Sequence, residues 1–416
     1  MRELLRVLVL IAAVLIVAVG TMLGVAGIAL GILSGGEDVV VTVTLSASVL
    51  ALSLSFGLAS ALQAWRAIKG LSSATFYPRM PWLLLVLFLL ALALGQLVLS
   101  LSILPVLTFP LLHIAASVLP ALFIVALIGR AVREVSSWRD MVLQTSGGVF
   151  LAAPLAFILE VIGILFIGAA AFTGLALRPD SQELLVTVSS YLQDPAGLQD
   201  PSASVPALLT PVAIVAGLTL VAGLIPLVEE VIKTIGVGLA TYRQPSLAQA
   251  LLWGLAAGAG FSIAEGLLGS AGGLDAWLPT ILLRIGTTLL HCLTGALMGL
   301  AWYQLIAGRR WARGLGLYLL SVSLHGLWNG LAATMALLSV TALGPGVDAG
   351  GQLAHSLGTL ATLLLLAILA LGSAGGLAGL AAYARRHAPP PARPTGVQAE
   401  PSVLAIGDRT KPASEA

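Results

Sequence analysis

The stretch PWLLLVLFLLALALGQLVLSLSI, residues 81–103, runs for 23 residues without a charged side chain. A helix rises 1.5 Å per residue, so about 20 apolar residues cross the hydrocarbon core of a bilayer. This stretch therefore predicts a transmembrane helix. It also decides the class of protein, because several further runs of the same kind lie on either side of it.

The composition of the whole chain agrees with that interpretation. Of its 416 residues, 58% are hydrophobic and only 9% are charged, and the mean hydropathy is +1.04. A soluble domain has about 25% charged residues, so we expect the lipid bilayer to be the solvent for most of this chain. We predict an all-α, polytopic integral membrane helix bundle of about ten transmembrane helices, near residues 5–33, 39–65, 81–103, 108–129, 145–177, 206–241, 247–271, 278–306, 314–339 and 355–384.

The arginines and lysines indicate how the chain is oriented. They gather at every second connection between spans, as at Arg66, Arg130 and Arg310, and at both ends of the chain. Cytoplasmic loops are the ones enriched in these residues. Ten spans with both termini cytoplasmic place these clusters on one side of the cell membrane. Arg178, in an acidic loop, departs from the alternation.

Composition along the chain predicts five parts. They are an N-terminal five-helix membrane block (1–177), an acidic extracytoplasmic loop (178–204), a core with buried polar residues (205–340), a last transmembrane helix (341–387) and a disordered cytoplasmic tail (388–416). The net charge of +2, without basic residues interleaved with aromatic ones, argues against a nucleic-acid partner. The single cysteine, Cys292, excludes an intrachain disulfide.

The core carries polar side chains deep inside its apolar runs. The four stretches are PLVEEVIKTIG (226–236), GFSIAEG (260–266), RIGTTLLHCLTGALMG (284–299) and SLHGLWNG (323–330). A charged side chain at the centre of a membrane helix costs about 2.5–3.5 kcal/mol, so such residues face a bundle interior or a water-filled cavity and mark function. Residues three or four apart share one helix face. We therefore expect one polar cavity shared by the four helices.

The order of these motifs, EExxK, FxxxE, a histidine and then HxxxN, resembles the PrsW family of intramembrane proteases. It is more distantly similar to the type II CAAX prenyl proteases and the bacteriocin-processing proteins. Those CAAX relatives have EExxxR and FxxxH, where this chain has Lys233 and Glu265, so the resemblance favours PrsW. The matching residues are Glu229, Glu230, Lys233, Phe261, Glu265, His291, Gly295, His325, Trp328 and Asn329.

The resemblance implies an intramembrane endopeptidase that hydrolyses a peptide bond of a membrane-anchored protein, such as an anti-sigma-factor-like regulator. Peptide hydrolysis needs a base for water, donors for the oxyanion and a proton for the leaving amine. Carried over from the family, Glu229 is the base and Glu230 supports it, paired with Lys233. His325 and Asn329, four residues apart, are the expected oxyanion donors.

The other candidate residues leave two mechanisms open. Glu265 and His291 are expected to complete the water-binding side, with Arg284 as a supporting counter-charge. A catalytic zinc takes three protein ligands and a water, and Glu265, His291 and His325 form a possible zinc set. No HExxH motif is present, so the protease is either a metalloprotease with zinc as its cofactor or a glutamate-type protease.

Two other functions fit buried carboxylates and histidines. A proton-coupled transporter also uses such groups at the membrane midplane, but the chain shows no paired halves. A non-catalytic membrane scaffold is the second alternative, and the intact motifs argue against it. His113 and Glu160 belong to no motif, and a packing or loop-side role is expected for both. Cys292 adjoins His291 but points about 100° away from it on a helix, which argues against a Cys/His dyad.

Overall fold

The computed structural model describes residues 2–36, 38–133, 135–176, 186, 211–342 and 349–387. The predicted tail, 388–416, and the predicted acidic loop, 178–204 except Val186, lie outside these ranges. The described elements are helices, with an isolated β-bridge between Thr75 and Ser137. In chain order they are α1 (Arg2–Ser34), α2 (Val39–Ile68), α3 (Pro81–Leu101), α4 (Pro105–Val132), α5 (138–176), α6 (211–232), α7 (Ile235–Thr241), α8 (Leu247–Gly269), α9 (Trp277–Ala307), α10 (Trp311–Ala342) and α11 (Ala349–His387).

The predicted all-α membrane bundle is confirmed. In the described part of the chain, nine helices are long and apolar enough to cross a membrane, so this is a multi-pass membrane protein. Helix α10 corresponds to the span predicted near 314–339 and is not among these nine. That helix has 32 residues and is long enough to span, but Tyr318, His325 and Asn329 lower its apolarity below that of the other nine.

The predicted span 206–241 is interrupted twice where the structure describes it. A π-helical turn occupies Thr219–Leu224, and the helix ends at Ile232 before α7 begins at Ile235. Thr234 lies between the two helices with φ −115° and ψ 13°, outside the helical region. Hydropathy could not show either interruption, because each leaves the surrounding residues apolar.

Helix α8 is the centre of the bundle, and most of its residues are buried. It packs against α9 through facing glycines, two on each helix. A Cβ added at Gly254 would overlap the carbonyl oxygen of Gly295, and one at Gly258 would overlap the carbonyl oxygen of His291. Only glycine allows backbones this close, as in other small-xxx-small membrane contacts. The contact fixes His291 opposite the polar residues of α8.

The N-terminal half also packs on this centre, through α4 and α5. His113 of α4 is completely buried, and its Nε2 lies 3.2 Å from the carbonyl oxygen of Leu267 at the end of α8. The indole N–H of Trp277, at the start of α9, donates to its Nδ1 over 3.0 Å. Because that nitrogen accepts, Nε2 carries the hydrogen. His113 thus joins three helices, which supports its predicted packing role.

Candidate functional site

The side chain of Lys233 lies at the middle of the polar cluster. It is 2% exposed, and its ammonium contacts Glu230 Oε1, Thr294 Oγ1 at 2.9 Å and His291 Nδ1 at 3.2 Å. An ammonium only donates hydrogen bonds. The Nδ1 atom of His291 is therefore an acceptor, and its ring hydrogen is on Nε2.

From His291 the cluster continues to α8. The Nε2–H of His291 donates to Glu265 Oε2 over 2.9 Å, and Arg284 Nη1 lies 2.7 Å from Glu265 Oε1. The ring of Phe261 lies 5.2 Å from the His291 ring, which explains why the FxxxE spacing occurs on this helix face. Glu265 keeps 38% of its side chain exposed and is the most open carboxylate of the motif residues in the described cluster.

From Glu230 the cluster continues to α10. The Nδ1 of His325 lies 2.8 Å from Glu230 Oε1, and its Nε2 lies 3.4 Å from Glu229 Oε2. The rings of His325 and His291 meet edge to face with centroids 5.0 Å apart. Glu230 Oε2 is buried and has no hydrogen-bond partner among the described residues. A buried acceptor in this position needs a donor such as water.

Sequence reasoning missed a further carboxyl group that reaches the cluster. Glu160 of α5 and Glu229 of α6 both line a cavity of about 40 Å³ between these two helices. The sequence did contain a feature that pointed to Glu160, because a carboxylate in a long apolar helix faces protein or water rather than lipid. Glu160 was set aside because it matches no motif.

The structure brings almost all the predicted site residues together. They form one connected cluster of Glu229, Glu230, Lys233, Glu265, Arg284, His291 and His325, contributed by α6, α8, α9 and α10 and by the residue that follows α6. Asn329 is placed differently, since its Nδ2 donates to the carbonyl oxygen of Val221 in the π-helical turn, 3.1 Å away. Its role as an oxyanion donor stays a prediction.

The arrangement of donors does not fit the predicted zinc set of Glu265, His291 and His325. Nε2 of His291 is bonded to Glu265, and its Nδ1 receives the Lys233 ammonium. His325 presents its two nitrogens to two different carboxylates, so they do not point at a common centre. Within the described ranges, no group of three or more histidine, cysteine, aspartate or glutamate side chains is arranged to hold a metal ion. A cation is already present there, the ammonium of Lys233.

Comparison of the sequence with known protein families gives a match. Residues 184–369 match the family model described as PrsW family intramembrane metalloprotease, and this range includes every helix that carries a motif residue. Residues 184–369 are similar to the PrsW family. The resemblance seen in the motifs is thereby confirmed, and the match supports a peptidase. Neither the curated proteins nor the solved structures gave a match.

The matched range includes the polar cluster and leaves other polar residues outside it. Glu160 and His113 precede residue 184. The family description makes a metal plausible without naming one, whereas the side chains of the cluster pair with one another and with Lys233. The match favours a peptidase over a transporter as the explanation of the buried carboxylates.

Proposed function

We propose that this PrsW-family protein is an intramembrane endopeptidase that cleaves a membrane-anchored protein, of the anti-sigma-factor-like regulator class, with water activated by Glu229. The observation that carries this proposal is the position of Glu229. Glu229 is 7% exposed, its carboxyl faces His325, and it also lines a water-sized cavity. A buried carboxylate beside water and a histidine is suited to general base catalysis.

In the first step Glu229 takes a proton from water while the water oxygen bonds to the scissile carbonyl carbon. The carbonyl oxygen becomes an oxyanion, and we assign its stabilisation to the Nε2–H of a doubly protonated His325, because the Nδ1–H of the same ring donates to the Glu230 carboxylate. That nitrogen is 3.4 Å from Glu229 Oε2, longer than an ordinary hydrogen bond, so it is available to the substrate. Collapse of the intermediate breaks the C–N bond, and the proton held by Glu229 passes to the leaving amine.

The remaining residues hold these two groups in place. Glu230 binds the other ring nitrogen of His325, and Lys233 balances the charge of Glu230. Glu265 and His291 extend the same hydrogen-bond chain to the more open side of the cluster. A fixed ring orientation is what makes a histidine effective in catalysis. No step of this mechanism passes through a metal.

The proposed location is the cell membrane, with both termini in the cytoplasm. The alternation of arginines and lysines supports this orientation. It places the substrate bond inside or beside the bilayer, because the cluster lies within the spans of α6, α8 and α9.

The experiment is cleavage of single-pass membrane proteins by the purified full chain. Glu229→Gln and His325→Ala are each expected to lower kcat by about 100-fold or more, the usual range for loss of a general base or an oxyanion donor. His355→Ala, which changes a histidine near the start of α11, is the matched control and should cleave like the wild type. Full cleavage by both site variants would contradict the proposal.

A further inference from the structure

Glu160 has no role in the mechanism described so far, yet a carboxyl in a membrane helix costs free energy. Glu160 lies in α5, whose residues 153–176 include no other charged side chain, and it is partly buried. A carboxyl in such a helix needs a polar partner or water. It precedes the residues that match the PrsW family, so the family motif does not account for it.

The surroundings of Glu160 form a small cavity shared with Glu229. Its volume is about 40 Å³, and a cavity needs roughly 10–15 Å³ of such space to hold a water molecule. Apart from the two carboxyls its walls are apolar or glycine: Ala156, Leu159, Gly163, Leu220, Leu224, Ile225 and Val228. Any water inside is therefore held by Glu160 and Glu229.

The hydrogen-bond chemistry of this pair favours a water molecule between the two groups. The proposed base Glu229 acts as an ionised carboxylate, which only accepts hydrogen bonds, so it needs a donor on its cavity side. Water supplies two O–H groups, one for each carboxylate. The donor that the described residues offer Glu229 is His325, at 3.4 Å, and that contact leaves the cavity side of Glu229 open.

We propose that this cavity is the binding site of the hydrolytic water and that Glu160 is the residue that positions it. This inference rests on the proposed function of Glu229 as base. One O–H of the water points to Glu229 and the other to Glu160, which directs an oxygen lone pair away from both. Glu229 takes its proton as the oxygen bonds to the carbonyl carbon. Glu160 keeps its hydrogen bond and gains no proton.

Filling the cavity without touching a carboxyl tests the proposal. A Cβ at Gly163 would lie 3.6 Å from Leu220 and Leu224, in ordinary contact, and because all three residues line the cavity, we expect a leucine side chain there to fill it. Gly168→Leu is the matched control on the same helix, because a Cβ there meets nothing within 4 Å. Gly163→Leu is expected to lower kcat about 10- to 100-fold at unchanged KM, and Gly168→Leu to leave both unchanged.

Two substitutions of Glu160 separate positioning from packing. Glu160→Leu removes the polar partner and suits an apolar helix, so it should fold and still lose about 10- to 100-fold in kcat. Glu160→Gln keeps an oxygen that accepts from water and should recover kcat to within about fivefold of the wild type. If thermal denaturation shows that Gly163→Leu is unfolded, the comparison of kcat between Glu160→Leu and Glu160→Gln still tests the proposal.

The outcomes distinguish this inference from the proposed function. Wild-type kcat in Glu160→Leu, or a Glu160→Gln variant as impaired as Glu160→Leu, would overturn the role of Glu160 while Glu229→Gln stays inactive. A fully active Glu229→Gln variant would instead overturn the proposed function itself. Equal rates in properly folded Gly163→Leu and Gly168→Leu would show that the cavity does not hold the reacting water.

Discussion

Lys233 shows how one residue organises this site. Its ammonium lies among Glu230, His291 and Thr294, almost entirely removed from solvent. Removing two charges from water is expensive, and their attraction compensates only when both partners are present and hydrogen-bonded. The ammonium also determines which nitrogen of His291 carries the hydrogen, so it orients the neighbouring ring as well as balancing charge.

Replacing Lys233 alone should therefore harm the fold. Lys233→Met removes the cation that balances the buried charge of Glu230 and leaves it only the His325 contact, and we expect a loss of about 3–5 kcal/mol in unfolding free energy. Lys233→Met combined with Glu230→Gln should recover most of that stability but not the cleavage activity. Thermal and denaturant unfolding in detergent, with a cleavage assay, would measure both. Additive losses in the double variant would contradict the pairing.

The expected effect of metal removal on cleavage also depends on individual side chains. Both nitrogens of His291 and of His325 face carboxylates or the ammonium rather than a common centre. We expect cleavage by the purified protein to continue after chelator treatment and dialysis, within about twofold of the untreated rate. Metal content measured on the same sample is the control. Loss of activity that zinc restores would show that the side chains rearrange around a metal.

At the scale of elements, the π-helical turn of α6 depends on a partner in α10. The turn leaves the carbonyl of Val221 to accept from Asn329, 3.1 Å away, and Gly326 of α10 lies so close that a Cβ there would overlap the carbonyl oxygen of Ala222. Helix α10 thus holds the turn that precedes Glu229 along α6. The HxxxN spacing has a structural use in addition to the predicted catalytic one.

The two roles of Asn329 predict different results. As a structural partner, Asn329→Ala should lower the unfolding free energy by about 1–3 kcal/mol through an unsatisfied carbonyl, with a comparably small change in kcat. As an oxyanion donor, the same change should lower kcat about 100- to 1,000-fold without loss of stability. We expect the first result, measured by unfolding in detergent and by kcat on one protein preparation.

The close contact of α8 and α9 leads to a second prediction at the scale of helices. Gly258→Ala places a Cβ against the backbone of His291, which cannot move like a flexible side chain. We expect a loss of about 1–3 kcal/mol or more in unfolding free energy, with reduced cleavage because His291 shifts. Gly372→Ala in α11, where a Cβ meets nothing within 4 Å, is the control and should be neutral. Equal stability of the two variants would contradict the packing described here.

The whole molecule is more tightly joined than its motifs suggest. The PrsW match covers residues 184–369, but α4 and α5 of the N-terminal half pack on α8, and Glu160 of α5 reaches the site. The predicted boundary between the N-terminal block and the core stays a prediction. These contacts indicate that the first half supports the peptidase fold.

Replacing His113 tests whether the N-terminal half supports the fold of the second half. His113→Ala leaves the indole of Trp277 and the carbonyl of Leu267 without their partner, and we expect a loss of about 2–3 kcal/mol in unfolding free energy. His355→Ala, whose contact with Thr341 is 3.4 Å long, should cost much less. Thermal unfolding of both variants would check this, and an unaffected His113→Ala variant would show that the halves are joined elsewhere.

The amino-acid sequence by itself determined the membrane spans and the order of the polar motifs. Transfer of a side chain into lipid depends mainly on that side chain, so apolar runs mark helices without knowledge of the partners. Helical spacing likewise placed Lys233 beside Glu230 and Glu265 beside Phe261, because both relations lie within one turn. The family assignment depends on the same local patterns.

Tertiary structure alone decided which residues meet across helices. Glu160 joins Glu229, and Asn329 turns to Val221, because the glycine contacts and the π-helical turn set how each helix is rotated against its neighbours. Rotation is a property of packing surfaces, and no spacing along one helix encodes it. The same cause kept His291 and His325 from a common metal centre, since each ring is held by partners on other helices.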